Sequence, residues 1–225
     1  MTPVVAVDGP AGSGKSSVCK GVAARLGFRY LDTGAMYRAM AWAVLAAGVD
    51  PDDAEAVADF CVRPDIVSGT DPLAPTISVD GTDVAEPIRG EVVTTAVSPV
   101  SAVPAVRERL VAIQRAAAAR AVADGVGIVV EGRDITTVVL PSADLKVFLT
   151  ADPEVRAARR AKEQGSDDQA SVARNAEAMA RRDTYDSTRK ASPMTQAADA
   201  TVVDTTHMTL DEVIEHVCSL VPAGS

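Results

Sequence analysis

The first residues with a clear chemical role form a glycine-rich turn near the start of the chain. Gly9 to Ser16 spell G-x-x-x-x-G-K-S, in which glycines let the backbone close around a polyphosphate with its N–H groups pointing inward. Lys15 is expected to reach the β- and γ-phosphates, and the Ser16 hydroxyl to ligate Mg²⁺. An apolar run before the motif and a helix-like run after it make a chance turn a poor explanation. The predicted nucleotide-binding residues are Gly9, Pro10, Ala11, Gly12, Ser13, Gly14, Lys15, Ser16 and Ser17.

Arginines form the second set of candidates. The guanidinium group binds phosphate in a bidentate manner and stays charged. A site that holds two anionic substrates and offsets charge during phosphoryl transfer needs several such groups. Each arginine alone is more typical of a solvated surface, but as a set behind a P-loop they favour a small, phosphate-bearing acceptor. They are Arg38, Arg107, Arg133, Arg156, Arg159, Arg160, Arg182 and Arg189.

Bulk composition narrows the class of protein. With 225 residues the chain has room for one domain with an insertion. A net charge of −9 argues against duplex binding, which needs a basic face. Three cysteines without metal-ligand spacing suit a reduced, cytoplasmic chain. The sequence has no basic apolar leader and no apolar run near 18 residues, so we expect neither export nor a membrane span.

The elements that must position these residues alternate between strands and helices. A strand is predicted up to Asp8, and the continuous apolar run at 127–130 is typical of a buried parallel strand. Residues 145–149 are predicted to form another buried strand, and 200–203 the last strand. The polar residues at 131–134 follow such a run, where ligands bind in parallel sheets. This alternation predicts an α/β fold with a mostly parallel sheet.

Local signals place several element boundaries. Thr33 is predicted to cap a helix that runs to Gly48, and Asp50-Pro51 to begin another. Prolines and glycines punctuate residues 63–99, where Asp80-Gly81 predicts a hairpin in a small antiparallel subdomain. Long helices are predicted from Pro104 to about Ala123, from Asp152-Pro153 up to a polar break at 163–169, and after that break up to Asp183. A capping box at 209–212 begins the last helix.

A P-loop alone leaves kinases, GTPases, motors and helicases open. The chain is too short for a motor's second domain and has no N-K-x-D stretch that would read guanine. The arginine set therefore favours a kinase.

Four further stretches give the chain a family resemblance. They are 31–38 (LDTGAMYR), 131–139 (EGRDITTVV), 181–183 (RRD) and 197–200 (AADA). With the P-loop, their order along nearly the whole chain resembles the bacterial cytidylate kinases, within the nucleoside monophosphate kinases. The resemblance implies transfer of the γ-phosphoryl of ATP to CMP or dCMP with Mg²⁺. We expect a monomer, because no long apolar stripe remains without an intramolecular use.

The resemblance also implies residue roles. Thr33, Arg38 and Arg133 would hold the acceptor phosphate. Ser98, Arg107 and Asp134 would read cytosine, whose amino group suits a carboxylate and whose acceptor edge suits an arginine. Arg182 and Asp186, an i, i+4 pair, would bind the sugar, and Arg189 would complete the pocket. The residues expected to act on the transferring phosphoryl group are Lys15, Arg133, Arg156 and Arg159.

The architecture that this family implies is a three-layer α/β/α domain with a parallel central sheet. Its core would comprise residues 1–62, 100–155 and 190–225. An antiparallel insertion at about 63–99 would bind the acceptor, and a short helical lid at about 156–170 would carry Arg156, Arg159 and Arg160. The metal would have few protein contacts, with Glu131 able to hold it through water.

Two features depart from the usual family pattern, and two rival functions remain. Thr33 replaces a common serine but keeps the hydroxyl, and residues 184–188 are less charged than usual. A kinase for shikimate or dephospho-coenzyme A is the nearer rival, and the hairpin and the G-R-D stretch argue against it. The second rival is a regulatory module that binds ATP without turnover; it would lack the acceptor site that Arg38, Arg133, Arg182 and Asp186 supply.

Overall fold

The fold is that of a parallel sheet flanked by helices, with a small antiparallel sheet beside it. A computed structural model describes residues 2–166, 168–189 and 192–222. The first elements are β1 Val4–Asp8, α1 Lys15–Leu26, β2 Arg29–Asp32, α2 Thr33–Ala46, α3 Ala54–Phe60, β3 Ile66–Ser68, β4 Ile77–Val79 and β5 Thr82–Asp83. A 3₁₀ turn, Pro87–Arg89, then precedes α4 Glu91–Ala102 and α5 Pro104–Ala123. The chain continues with β6 Ile128–Glu131, a π-helical turn Ile135–Val139, β7 Leu145–Thr150, α6 Pro153–Glu163, α7 Gln169–Thr188, β8 Thr201–Asp204 and α8 Leu210–Leu220.

The central sheet confirms the predicted α/β class. Its five strands lie in the order β2-β6-β1-β7-β8, and the pairs between neighbours are parallel. Alternate residues of β1 face opposite sides: Val5 and Val7 pack with α1 and α8, whereas Ala6 packs with α2 and α5. This is the period of two that a strand imposes, and it divides the core into two layers. The carboxyl ends of β1, β2 and β6 therefore meet at one edge, where the P-loop and residues 131–134 lie.

The antiparallel insertion exists but does not have a core of its own. β3, β4 and β5 pair antiparallel, and Asp80 and Gly81 form the hairpin turn with positive φ values of 50° and 78°. Ile77 and Val79 belong to the same hydrophobic cluster as Met40 of α2. The small sheet is thus packed directly on α2, the helix that carries Arg38.

Several predicted boundaries were wrong. Asp32, not Thr33, caps α2, because its carboxylate accepts the Ala35 N–H at 2.9 Å. α3 begins at Ala54 with Asp53 as its cap, so Pro51 lies before the helix. α7 continues past Asp183 to Thr188.

The largest error was to miss α4 within the insertion. Its sequence is rich in β-branched residues and contains Pro99, both unfavourable in a helix interior. Burial outweighs propensity here, because Val93, Ala96, Val97 and Val100 form one buried face at helical spacing. The predicted helices α5 and α6 and the capping box of α8 were confirmed.

Candidate active site

The P-loop is shaped by glycines that no other residue could replace without strain. Gly9 has a φ of 151°, and a Cβ there would lie 2.1 Å from the carbonyl oxygen of Leu149 in β7. Gly12 and Gly14 adopt φ values of 70° and 83°, a region that costs a side chain about 1 kcal/mol or more. The loop consequently wraps tightly between β1 and α1, with backbone N–H groups at the start of α1 available to an anion.

Lys15 is folded inward over this loop. It is buried, and its Nζ donates to the Pro10 carbonyl at 2.7 Å and to Ser13 Oγ at 3.4 Å. Burial, and then the charge of Arg133, lower the pKa of Lys15. Among the described residues Lys15 forms no salt bridge. A buried ammonium group without a carboxylate partner calls for an anionic ligand.

Ser16 lies beside a buried carboxylate. Its hydroxyl donates to Glu131 Oε2 at 3.1 Å, while the Tyr30 hydroxyl donates to the other carboxylate oxygen. Burial is the main cause, and Asp32 the next, of a raised pKa for Glu131. The described residues contain no group of three His, Cys, Asp or Glu side chains fit to hold a metal. Two oxygen donors suit Mg²⁺ all the same, since this ion keeps several waters and takes further ligands from substrate phosphates.

Asp8 fixes the backbone after β6. Its carboxylate accepts the N–H groups of Ile135 at 2.9 Å and Thr136 at 2.8 Å, and the Thr136 hydroxyl at 2.7 Å. Thr33 holds the same segment from the other side, donating to the Glu131 carbonyl at 2.6 Å. These contacts place Arg133 and Asp134 next to the P-loop. Sequence reasoning did not single out Asp8, although a carboxylate at the end of a central strand was a usable signal.

Three of the predicted phosphate-binding or sugar-binding arginines face one region. Burial, followed by Arg133 and Arg38, lowers the pKa of Arg182 to about 10. Burial and then Arg160 likewise lower the pKa of Arg38, with a further contribution from Arg89. Like charges held together in a partly buried region indicate a site for a multiply charged anion.

The contacts of these arginines come from scattered elements. Arg38 donates to the Ile88 carbonyl at 3.1 Å and to Thr94 Oγ1 at 2.9 Å. Arg133 Nε donates to Asp186 at 3.0 Å, whereas Arg182 reaches Asp186 only at 4.0 Å. Sequence reasoning missed Arg89, at the end of the 3₁₀ turn, whose charge contributes to the lowered pKa of Arg38.

A second cluster surrounds Asp134. Its carboxylate is paired with Arg107, and Arg189 Nη2 lies 3.6 Å away; all three side chains are about 95% buried. Arg107 stacks over the Tyr37 ring at 5.3 Å. Within the described chain, Arg107 Nε, Arg189 Nη2, the Tyr37 hydroxyl and both amide atoms of Gln114 are buried without a hydrogen-bond partner. Such orphaned groups are rare in folded proteins and indicate a site that a polar ligand or water completes.

Ser98 is not brought to Asp134 by a direct contact. It lies inside α4, where its carbonyl accepts the Ser101 hydroxyl at 3.0 Å. The contact from α4 to Arg107 comes from the Ser101 carbonyl, at 3.3 Å. The role of Ser98 as a base-reading residue stays a prediction.

The two predicted catalytic arginines of α6 flank the P-loop. Arg156 Nη1 donates to the Ala11 carbonyl at 2.9 Å and to Asp183 at 2.6 Å. Arg159 donates twice to Thr205, at 2.9 Å to its hydroxyl and 2.6 Å to its carbonyl. Arg159 therefore contacts Thr205, which directly follows β8, while Arg156 contacts the P-loop itself at Ala11. Asp183, the partner of Arg156, was part of a quoted motif but had been given no role.

Comparison with known proteins decides the family. A family profile described as cytidylate kinase matches residues 5–223. The cytidylate kinase of Streptomyces avermitilis is 57% identical over 219 residues, which cover 97% of this chain and 92% of that protein. The cytidylate kinase of Nocardia farcinica is 53% identical over 222 residues, covering 97% and 93%. The chain belongs to the cytidylate kinase family.

Membership makes the protein a nucleotide-binding phosphotransferase, and the resemblance drawn from the motifs is confirmed.

Among solved structures, a sugar kinase from Janibacter sp. HTCC2649 aligns over 97% of this chain and 94% of its own, at 18% identity and a TM-score of 0.47. No described helix is long and apolar enough to cross a membrane.

Proposed function

We propose that this cytidylate kinase family member transfers the γ-phosphoryl group of ATP to CMP or dCMP, giving ADP and CDP or dCDP. The observation that carries the proposal is a pair of clusters beside the P-loop, the first partly buried and the second buried and incompletely hydrogen-bonded. One is a group of arginines that repel one another, and the other is the ion-paired Asp134 with orphaned donors around it. A phosphate fits the first cluster, and a base with both donor and acceptor edges fits the second.

The donor half would hold ATP through the P-loop. Backbone N–H groups of the loop and the N-terminal end of α1 attract the phosphates. Lys15 would exchange its contact with the Pro10 carbonyl for the phosphate oxygens, which restores the full charge of the ammonium group. Ser16 and Glu131 would hold Mg²⁺, which would supply charge neutralisation between the phosphates when bound.

The acceptor half would hold the nucleoside monophosphate in line. Arg38, Arg133 and Thr33 bind its phosphate, and the repulsion between the arginines falls once the anion is present. Asp134 accepts from the cytosine amino group, and Arg107 donates to the acceptor edge. Arg182 and Asp186 bind the sugar. Arg189 lies between the two carboxylates, with Nη2 3.6 Å from Asp134 and Nη1 3.8 Å from Asp186.

Transfer needs no general base, because the attacking group is already an anionic phosphate oxygen. The chain's contribution is to orient two polyanions and to offset the charge that develops on the transferring group. Lys15, Arg133 and Arg156 are the cations placed for this, and Arg159 joins them if the predicted lid at 156–170 closes further over the loop. Water is excluded by the same closure.

One coupled assay tests the proposal. ATP and Mg²⁺ are offered with CMP, dCMP, UMP, AMP, GMP or shikimate, and ADP release is measured. We expect rapid turnover with CMP or dCMP, and loss of turnover when EDTA removes the metal. Faster turnover of shikimate or a purine nucleotide would overturn the acceptor assignment, and nucleotide binding without any turnover would favour a regulatory module.

A further inference from the structure

The backbone of Ala11 in the P-loop is hydrogen-bonded to side chains of α6 and α7, two helices that pack against each other. Both polar atoms of the Ala11 residue are engaged: its N–H donates to Asp183 Oδ1 at 3.0 Å, and its carbonyl accepts from Arg156 Nη1 at 2.9 Å. The same Arg156 nitrogen donates to Asp183 Oδ2 at 2.6 Å. Asp183 thus bridges one backbone group of the loop and one side chain of α6.

Packing at this contact is close. A Cβ on Gly12 would lie 2.3 Å from the Met179 Cε of α7 and 3.1 Å from the Arg156 carbonyl of α6. Met179 is 9% exposed, and Asp183 follows it one helical turn later on the same face. The two helices therefore rest directly on the loop, with Asp183 as their polar contact.

Asp183 also determines where the Arg156 charge lies. The Arg156 guanidinium is fixed by three acceptors, the carbonyls of Ala11 and Ala151 and the Asp183 carboxylate. Only the carboxylate is charged, so it supplies the strongest of the three contacts. Both side chains are more than four-fifths buried, at 12% and 17% exposure, which limits screening by water.

We propose that Asp183 is a positioning residue for phosphoryl transfer, which acts through Arg156 and the Ala11 peptide rather than on either substrate. The proposal rests on the function proposed above, transfer from a P-loop-bound nucleoside triphosphate. Asp183 holds the Ala11 peptide and the Arg156 guanidinium together, so that the cation and the donor phosphates keep a fixed relative geometry. A displacement of about 1 Å in such a unit costs on the order of 100-fold in rate.

The test compares Asp183→Asn with Glu177→Gln. Asparagine keeps the shape and an acceptor oxygen but loses the charge that holds Arg156. Glu177 lies on the same helix in an ion pair with Arg181, but that pair is exposed at 75% and 67%, so its loss serves as a matched control. We expect kcat to fall about 10- to 100-fold for Asp183→Asn and to stay within about twofold for Glu177→Gln.

Three readouts separate positioning from mere folding. The KM for the acceptor should change by less than about threefold in Asp183→Asn, because the loss is in the transition state. The thermal midpoint should stay well above the assay temperature, so that kcat is compared between folded enzymes. Combined with Arg156→Ala, the Asp183→Asn change should cost little further rate, since the two residues act as one unit. Full additivity in the double variant, or an unchanged kcat in Asp183→Asn, overturns the proposal.

The same experiment distinguishes a failure of the Asp183 proposal from a failure of the proposed acceptor. The contacts of Asp183 are on the donor side, so the fold-loss in kcat should be equal for every acceptor that the wild type turns over. If the wild type prefers an acceptor other than CMP, the cytidine assignment fails but the Asp183 ratio is still measured with that acceptor. A loss confined to one acceptor would contradict the positioning role.

Discussion

The proposed donor and acceptor halves of the site are built in opposite ways. The donor half is one contiguous loop whose polar side chains are already paired: Lys15 with the Pro10 carbonyl, and Ser16 with Glu131. The acceptor half is assembled from arginines on α2, the segment after β6, α5 and the region of α7, and several of its buried donors lack a partner. The first half is preformed by backbone geometry, whereas we propose that its ligand completes the second half.

This difference has an energetic consequence. A buried polar group left without a hydrogen bond costs about 1–3 kcal/mol, and arginines that repel one another add to that cost. In the proposed acceptor half, stability would therefore be given up for binding, as is common at functional sites. Variants in the two halves should separate activity from stability in different ways.

The largest expected effect is on the donor half. Lys15→Ala should lower kcat on the order of 1,000-fold with every acceptor, because it removes the cation nearest the transferring group. Steady-state rates with CMP and dCMP check this, and Lys20→Ala on the same helix is the matched control. A loss with one acceptor only would break the division into halves.

On the acceptor side, Asp134→Ala should lower kcat/KM for cytidine nucleotides about 10- to 100-fold while affecting turnover of UMP, which lacks the amino group, less. Because it leaves Arg107 buried without its partner, it should also destabilise the fold by roughly 3 kcal/mol. Urea denaturation measures that loss. Asp199→Ala is the control, because the Asp199 carboxylate that pairs with Lys146 is 67% exposed. Equal activity losses for all acceptors would refute base reading.

Arg182→Ala tests whether repulsion among the arginines lowers the stability of the ligand-free enzyme. It should raise the KM for CMP about tenfold, the loss expected for one charge-assisted hydrogen bond. The ligand-free enzyme should nevertheless be as stable as the wild type or more so, because the repulsion from Arg133 and Arg38 is relieved. Thermal midpoints with and without CMP test both parts, with Arg181→Ala as the exposed neighbour for comparison. A clear drop in the ligand-free midpoint would contradict the repulsion.

The smallest effect is a pH dependence of the donor half. Burial and Arg133 lower the pKa of Lys15 from 10.5 to about 7. Between these values the unfolded chain keeps a proton that the folded chain has released, so the contribution of Lys15 to stability rises with pH in that window. Lys15→Met removes the buried charge, and its gain in unfolding free energy over the wild type should be largest near pH 6 and smaller at pH 9. A difference that stays constant across urea titrations at these pH values would show that Lys15 is not buried as a strained cation.

The same contrast explains what sequence reasoning achieved. The position of the P-loop between β1 and α1 was predictable, because its glycines, lysine and serine are contiguous and its flanking elements have clear periodicity. Its nucleotide-binding role at each residue stays a prediction. The acceptor half depended on family resemblance, since only the fold brings Arg107, Asp134 and Arg189 within reach of one another. The sequence does not show which of its many arginines are buried.

Contacts between residues far apart in the sequence could not be predicted from local sequence patterns. Asp183 on the Ala11 N–H and Asp8 on the π-helical turn join residues far apart in sequence. α4 was missed because its β-branched residues and Pro99 suggest no helix, and only packing against α2 reveals its buried face. The predicted roles of Ser98 and Arg159 depend on ligand geometry and stay predictions.

The position of β1 in the middle of the sheet has a consequence for how the protein is made. Val4 pairs with Ile128 of β6, and Val5 pairs with Leu145 of β7, so both neighbours of β1 are synthesised long after it. Closing such long loops is slow compared with forming local contacts. While the chain is on the ribosome, the apolar segment 4–7 thus waits without a partner, exposed to chaperones and to aggregation. The P-loop, although synthesised before β7, is completed only when β7 places the Leu149 carbonyl close to Gly9.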